Sequence, residues 1–437
     1  MVRKYWIEFI IVLVIHAGFM VYQLYAQHYL LDDSKEYIRT ADNLLREGIL
    51  YNGDLSEHIQ PELYTKRPPG YPLLLMIARL FTQSMIPVIV LQLVLSLASF
   101  IAMLKIFKPE GYARILLTVF IIFFPAQFIY TNLVMAEILF QFVLMMAALS
   151  LWRYIKTERI SVLWTYQLML ILGILVKPVL YPFIILNIIL FLVLYYRYRQ
   201  RLVIISSLIP LIFVIIFASI NQQRTGYFHI SSVQQVKLVD HNLYFFLLDQ
   251  QGEEKSEEIT TEIKATCSRE KDLSNRSACL TEAVTSIVKD NITSYGWFHL
   301  KGMGRFFIDP GRLELYRFFG IEKSVGNGFL YRTKKSGVKD AWEYLQMQNG
   351  GMIMLLLSIA FINLVRFTGF LFFLFNRKVD PAFRLFLFLL IGYIAFATSP
   401  LGASRFMLPV VLLLTGAAAY QYGSWLNKLF RKKASSV

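Results

Sequence analysis

Charge is scarce in this chain of 437 residues: 17% are Asp, Glu, Lys or Arg, 56% are apolar, and the mean hydropathy is +0.52. Soluble domains carry about 25% charged residues and keep their apolar runs short. The deficit therefore excludes an ordinary water-soluble globule and points to an all-α polytopic membrane protein. Cysteine is nearly missing, with only Cys267 and Cys279, and the six histidines are scattered. That leaves no Cys/His spacing suited to zinc, and neither a metal nor a cofactor is expected. The chain also lacks a Walker loop, a GxGxxG turn, an HExxH helix, an internal repeat and a low-complexity tract. Acid is short relative to base, giving a net charge of +15. Its placement argues against nucleic acid: residues 221–348 hold 17 basic and 16 acidic side chains, leaving 27 basic against 13 acidic elsewhere. That excess lies in short loops between apolar runs, as the positive-inside rule expects.

What is present is a series of long apolar runs. Arg3 and Lys4 precede the first, Tyr5 to about Tyr25, which is long enough to cross a hydrocarbon layer of roughly 30 Å at about 1.5 Å per residue. Its length and the lack of a clear small-residue cleavage site favour an uncleaved span over a signal peptide. Further spans are expected at about 87–107, 115–130, 133–152, 162–176, 180–196, 202–220, 350–374, 383–398 and 406–424. Ten spans place the clusters Lys105/Lys108/Arg114, Arg153/Lys156/Arg159, Arg197/Arg199/Arg201 and Arg377/Lys378/Arg384 inside, with both chain ends. The chain then divides into a core of seven spans (1–220) with an outer acidic loop (27–72), an extracytoplasmic insert (221–348), and three closing spans with a basic tail (349–437). In the insert, Cys267 and Cys279 are expected to form a disulfide, and Trp297 to Phe319 reads as an interfacial surface helix or hairpin.

Most of the chemistry-bearing residues lie near the outer ends of these spans. Asp33, Tyr37, Ala41, Leu44 and Leu45 recur at helical spacing and Gly48 is a natural stop, so about four turns of amphipathic surface helix are expected there. Asp33 and Glu36 fit a capping box. Equally, Asp33 or its neighbour Asp32 is a candidate general base, since two carboxylates at a membrane face cost desolvation energy. Lys66 and Arg67, followed by Pro-Pro-Gly-Tyr-Pro, stand on a stiff turn suited either to lipid headgroups or to a fixed anion site. Glu137, one turn inside a span, is expected to face the bundle interior or a wet cavity. Lys177 and Arg405 lie at outer span ends, with snorkelling and phosphate binding both open. Arg366 lies deeper in its span, where a structural pairing and a functional role are both open.

Taken together, these residues resemble the GT-C superfamily of polyprenyl-phosphate-sugar-dependent glycosyltransferases, among them bacterial relatives of protein O-mannosyltransferases and lipid A aminoarabinose transferases. The likeness rests on Asp33 with Tyr37, Ala41 and Leu44-Leu45, on Arg67-Pro68-Pro69-Gly70-Tyr71-Pro72, on Ala136-Glu137, on Lys177-Pro178, and on Ser404-Arg405-Phe406 with Pro409. It implies that the first outer loop supplies the catalytic carboxylate, Asp33 or Asp32. It further implies that Arg67, Lys66, Arg405 and Lys177 hold the donor phosphate, with Tyr37, Tyr71 and Glu137 nearby. The implied enzyme sits in the inner membrane and faces outward, takes its sugar from a polyprenyl phosphate among the membrane lipids, and passes it to a glycan, lipid or protein acceptor. The chain departs from better-known members in lacking a large C-terminal soluble domain and in carrying the insert of residues 221–348. An O-antigen polymerase or ligase and a lipid or solute transporter are the rival readings.

Overall fold

The computed structural model describes residues 4–321 and 349–434, and every regular element among them is helical. The part of the expected insert beyond residue 321 lies outside the described residues. Eleven helices precede the insert: α1 (Trp6–Tyr25), α2 (Asp32–Glu47), α3 (Gly70–Arg79), α4 (Ile86–Phe107), α5 (Tyr112–Ile122), α6 (Pro125–Thr131), α7 (Glu137–Thr157), α8 (Ile160–Val176), α9 (Phe183–Tyr198), α10 (Arg201–Ser207) and α11 (Ile209–Thr225). The insert contributes α12 (Val233–Lys237), a π-turn at Leu238–Leu243, α13 (Tyr244–Gln251), α14 (Glu253–Cys267), α15 (Leu273–Asp290), α16 (Ile292–Ile308) and α17 (Arg312–Phe318). Helices α18 (Gly350–Leu374), α19 (Pro381–Ala397) and α20 (Ser404–Ala434) close the chain.

Six of these helical stretches are long and apolar enough to cross a membrane, with α10 and α11 running together as one, and a seventh is available if α5 and α6 form a single span. The expected straight third span is instead bent by 58° between those two helices, where Pro125 opens α6 and cannot donate a backbone hydrogen bond into α5. Helices α8, α9 and α19 are apolar but shorter, at 17, 16 and 17 residues. Seated at the centre are α7 and α20, whose apolar windows are 72% and 83% buried, while α1 lies on the outside at 22%. Close approach in the centre depends on small residues, as is usual between helices in lipid. A Cβ on Gly423 would lie 2.3 Å from that of Ala113, so α20 and α5 touch backbone to backbone only with glycine there.

The basic loops gather at one end of the bundle, where Arg114 pairs with Glu8 at 2.5 Å and Arg197 with Asp380 at 2.7 Å. Helix α7 runs from Glu137 to the loop cluster at Arg153 and Lys156, about 30 Å at 1.5 Å per residue. Glu137 therefore stands at the opposite end. The insert sits at that end too, tied to the chain before α3: Ser231 donates to the Lys66 carbonyl at 3.2 Å, and Arg276 pairs with Glu62 at 3.0 Å. It has a small core of its own around Leu243, Phe246, Val284 and Phe298. Cys267 and Cys279 form the expected disulfide, linking α14 to α15 with their Cα atoms 5.6 Å apart. Of the two forms expected for the Trp297–Phe319 stretch, a single surface helix is not what is seen; the chain turns between Ile308 and Arg312. It forms the α16–α17 pair, which packs into the bundle through Phe306 and Phe307 and leaves Trp297 and Leu300 exposed.

Candidate functional site

Helix α2 begins two residues earlier than a cap at Asp33 requires. Leu31 is the extended N-cap, and its backbone N–H donates to Ser34 Oγ at 2.9 Å. The capping-box reading of Asp33 and Glu36 is therefore corrected: Ser34 closes the first turn, and both carboxylates are free to point elsewhere. Asp33, Glu36 and Tyr37 lie at i, i+3 and i+4 and share one face. That face meets Lys66 and Arg67.

The approach of these two basic residues is set by Gly70. A Cβ there would lie 2.8 Å from the Leu175 carbonyl oxygen, so only glycine lets the Pro-Pro-Gly turn come down on the end of α8 beside Lys177. Arg67 Nε then donates to Glu36 at 2.8 Å, a terminal nitrogen donates to Asp33 Oδ1 at 2.7 Å, and the guanidinium lies over the Tyr37 ring at 4.7 Å. Tyr71 braces Tyr37 edge-on at 5.0 Å and spends its hydroxyl on Gln92 at 2.8 Å. It supports the site from behind. Lys66 donates to Glu36 at 3.0 Å.

The other half comes from the bundle. Arg405, in the first turn of α20, donates to Asp33 Oδ2 at 2.8 Å and to Glu137 Oε1 at 2.6 Å. Lys177 donates to the same Glu137 oxygen at 2.9 Å. Glu137 is fully buried, and its Oε2 has no hydrogen-bond partner. A continuous chain of charge results, running Lys66, Glu36, Arg67, Asp33, Arg405, Glu137, Lys177. Three carboxylates face four cations.

Burial alone would raise the Asp33 carboxyl, but Arg405 and Arg67 outweigh it and hold its pKa well below the usual carboxylate range. Tyr37, by contrast, is pushed up to about 12 by burial and stays neutral. Asp32 does not join the cluster: its side chain is fully exposed and pairs with Lys35 at 3.3 Å. Arg366 also stands apart, buried against the Phe120 carbonyl and Asn363, with Phe120 and Phe124 rings beside it. Among the described residues no group of three or more His, Cys, Asp and Glu could hold a metal ion.

Sequence reasoning missed Lys237. It ends α12 immediately before the π-turn, the kind of helical irregularity frequently found at functional sites. Its side chain is reached by water and makes no ion pair among the described residues. Even so, protein surrounds it closely enough that desolvation, reinforced by Lys177, Arg405 and Arg67, brings its pKa down to about 8. The missed signal is a lone lysine beside a polar turn, which no spacing rule separates from an ordinary surface residue.

The fold and site define a helical membrane protein with a net-positive ion-pair chain at the end of the bundle away from its basic loops. No protein-family model matches this chain, and no curated protein matches it in sequence.

Proposed function

We propose that this protein is an integral membrane glycosyltransferase that moves a sugar from a polyprenyl-phosphate carrier to an acceptor outside the cytoplasm, from ten crossings with both chain ends inside. The reading is carried by one observation: the ion-pair chain at the end of the bundle away from its basic loops holds four cations against three carboxylates, and Lys237 lies close enough for Lys177, Arg405 and Arg67 to act on it. A surplus of buried or recessed positive charge is costly unless an anion completes it. A lipid phosphate at a membrane face is such an anion, and the two guanidinium groups offer it paired donors.

In this reading Asp33 is a masked base. A phosphate entering the cluster competes for Arg67 and Arg405, and as they turn to it Asp33 loses the contacts that depress its basicity. The acceptor hydroxyl oxygen then attacks the anomeric carbon from the side opposite the phosphate. The bond from that carbon to the phosphate oxygen breaks, its electron pair leaves with the phosphate, and the hydroxyl proton passes to Asp33. Configuration at the anomeric carbon inverts. Arg67, Arg405, Lys66 and Lys177 offset the charge gained by the leaving phosphate. Mass spectrometry of envelope glycans and lipids from cells with and without the gene tests the reading: loss of one sugar modification supports it, and identical profiles overturn it.

A further inference from the structure

Beside the ion-pair chain, and separated from it by Tyr130, lies a half-open cavity of about 640 Å³ that the donor reading leaves unused. The ring of Tyr130 lies 5.9 Å from the Arg405 guanidinium, while its hydroxyl is directed at Glu314 Oε1, 3.5 Å away. Leu31, two residues before Asp33, forms part of the same wall. The cavity is therefore one aromatic ring away from Arg405, and its wall runs into α2 two residues before Asp33.

The polar lining is unusual for its surroundings. Glu314 is 8% exposed, opens onto the cavity, and makes no ion pair among the described residues. Among the described residues its long contact to Tyr130 is its one hydrogen bond. Close behind it is Asp309, whose carboxylate accepts the Ser404 backbone N–H at 2.6 Å. A Cβ on Gly311 would lie 2.9 Å from Ser404 Oγ and 3.5 Å from Glu314 Oε2, so that hydroxyl and that carboxylate face the same small space. Ser404 Oγ is itself buried beside Asp309, with no well-formed hydrogen bond among the described residues. Burial and the neighbouring Glu314 charge hold the Asp309 carboxyl well above the usual carboxylate range, and Glu314 beside it presents hydrogen-bond acceptors to the cavity. Gln27, His28 and Arg317 add donors at the rim, and leucine and isoleucine side chains complete the wall.

We infer that this cavity is the acceptor site and that its ligand is a neutral carbohydrate ring whose hydroxyls donate to Glu314. The chemistry excludes the other simple occupants. A phosphate would be placed against Glu314, and an acyl chain would leave a buried carboxylate without compensation. A sugar edge supplies several O–H donors to Glu314 and acceptors to Gln27 and Arg317, while its C–H faces rest on the apolar wall. The acceptor role rests on the donor reading above; the carbohydrate specificity of the cavity does not.

The test uses the full-length protein in phosphatidylcholine nanodiscs and saturation-transfer NMR. The probes are methyl α- and β-glycosides of glucose, galactose, mannose and N-acetylglucosamine, with ethanolamine and inorganic phosphate as controls. At least one glycoside is expected to bind, and Glu314→Gln is expected to weaken it roughly tenfold, as for a lost hydrogen bond to a charged group. Leu31→Trp, which fills the cavity, is expected to abolish the signal. Should either variant melt early, Gln27→Asn at the exposed rim reports in its place, with weaker binding expected. The inference is overturned if no glycoside binds, if binding is indifferent to these variants, or if only ethanolamine binds. Undecaprenyl-phosphate binding, followed in parallel with Arg67→Ala, reports on the donor reading alone. Glycoside binding without lipid-phosphate binding overturns the acceptor role and retains a sugar site.

Discussion

Asp33 and Arg405, 372 positions apart in the chain, are joined by a 2.8 Å hydrogen-bonded ion pair, and through Arg405 the surface helix is fastened to the buried Glu137. This contact connects α2 to the core of the bundle, and it is where the proposed chemistry and the stability of the fold meet.

Removing Arg405 leaves the fully buried Glu137 with Lys177 as its one cation. Arg405→Ala is expected to destabilise the protein by about 3 kcal/mol or more, the usual result of breaking a buried pair from one side. Arg405→Ala combined with Glu137→Gln is expected to recover part of the loss, since the fully buried carboxylate is then neutral and the charge left unpaired is the partly exposed Lys177. Thermal unfolding in detergent checks both, and a double variant no more stable than the single one contradicts the assignment.

Arg67 spans Asp33 and Glu36 at 2.7 and 2.8 Å while stacked on Tyr37. A lysine there keeps the charge but cannot hold two carboxylates or a phosphate in paired fashion. Binding of undecaprenyl phosphate is expected to fall in the order wild type, Arg67→Lys, Arg67→Ala. Equal affinity in all three would remove Arg67 from the donor site.

Asp33→Asn no longer tests a helix cap, since Leu31 and Ser34 close the first turn. It tests chemistry. Glycosyl transfer is expected to fall by roughly 10²–10⁴-fold with the protein still folded, the usual contribution of a general base. Asp32→Asn, at an exposed position outside the ion-pair chain, is expected to stay within about twofold, as surface substitutions generally do. Comparable losses in both would return the choice between them to open ground.

The depressed Asp33 pKa fixes the sign of a pH effect. A carboxylate whose pKa is lower in the folded state than in the unfolded one stabilises the fold fully above its unfolded value, near pH 4, and the contribution is lost as pH falls through the folded value. The melting-temperature gap between wild type and Asp33→Asn is therefore expected to narrow steadily below about pH 4. A gap that widens on acidification contradicts the two-arginine clamp.

The orientation of the insert is open to direct labelling. Glu257 is exposed on α14, so Glu257→Cys is expected to react with a membrane-impermeant thiol reagent in intact cells. Protection in intact cells with labelling after lysis would invert the topology and place Asp33 inside.

Much of the architecture was legible in the sequence because burial in lipid demands long apolar runs and internally satisfied backbones. The surface helix ending at Gly48, the elbow before α3 and the disulfide follow from local periodicity, turn chemistry and the cysteine count. Local sequence could not decide which groups meet. Asp33 looked like a cap because capping rules see only four residues, whereas its partners Arg67 and Arg405 lie 34 and 372 positions away. Lys237 carried no distinguishing neighbour, and the Asp309–Glu314 pair lay within a stretch that reads as surface until α16 and α17 pack into the bundle. The sequence by itself determined that the chain is a helical membrane protein with polar groups near the span ends opposite its basic loops. Tertiary structure alone decided which of those charges share a site, because ion pairing is fixed by distance in space, and close packing at Gly70 and Gly423 sets those distances.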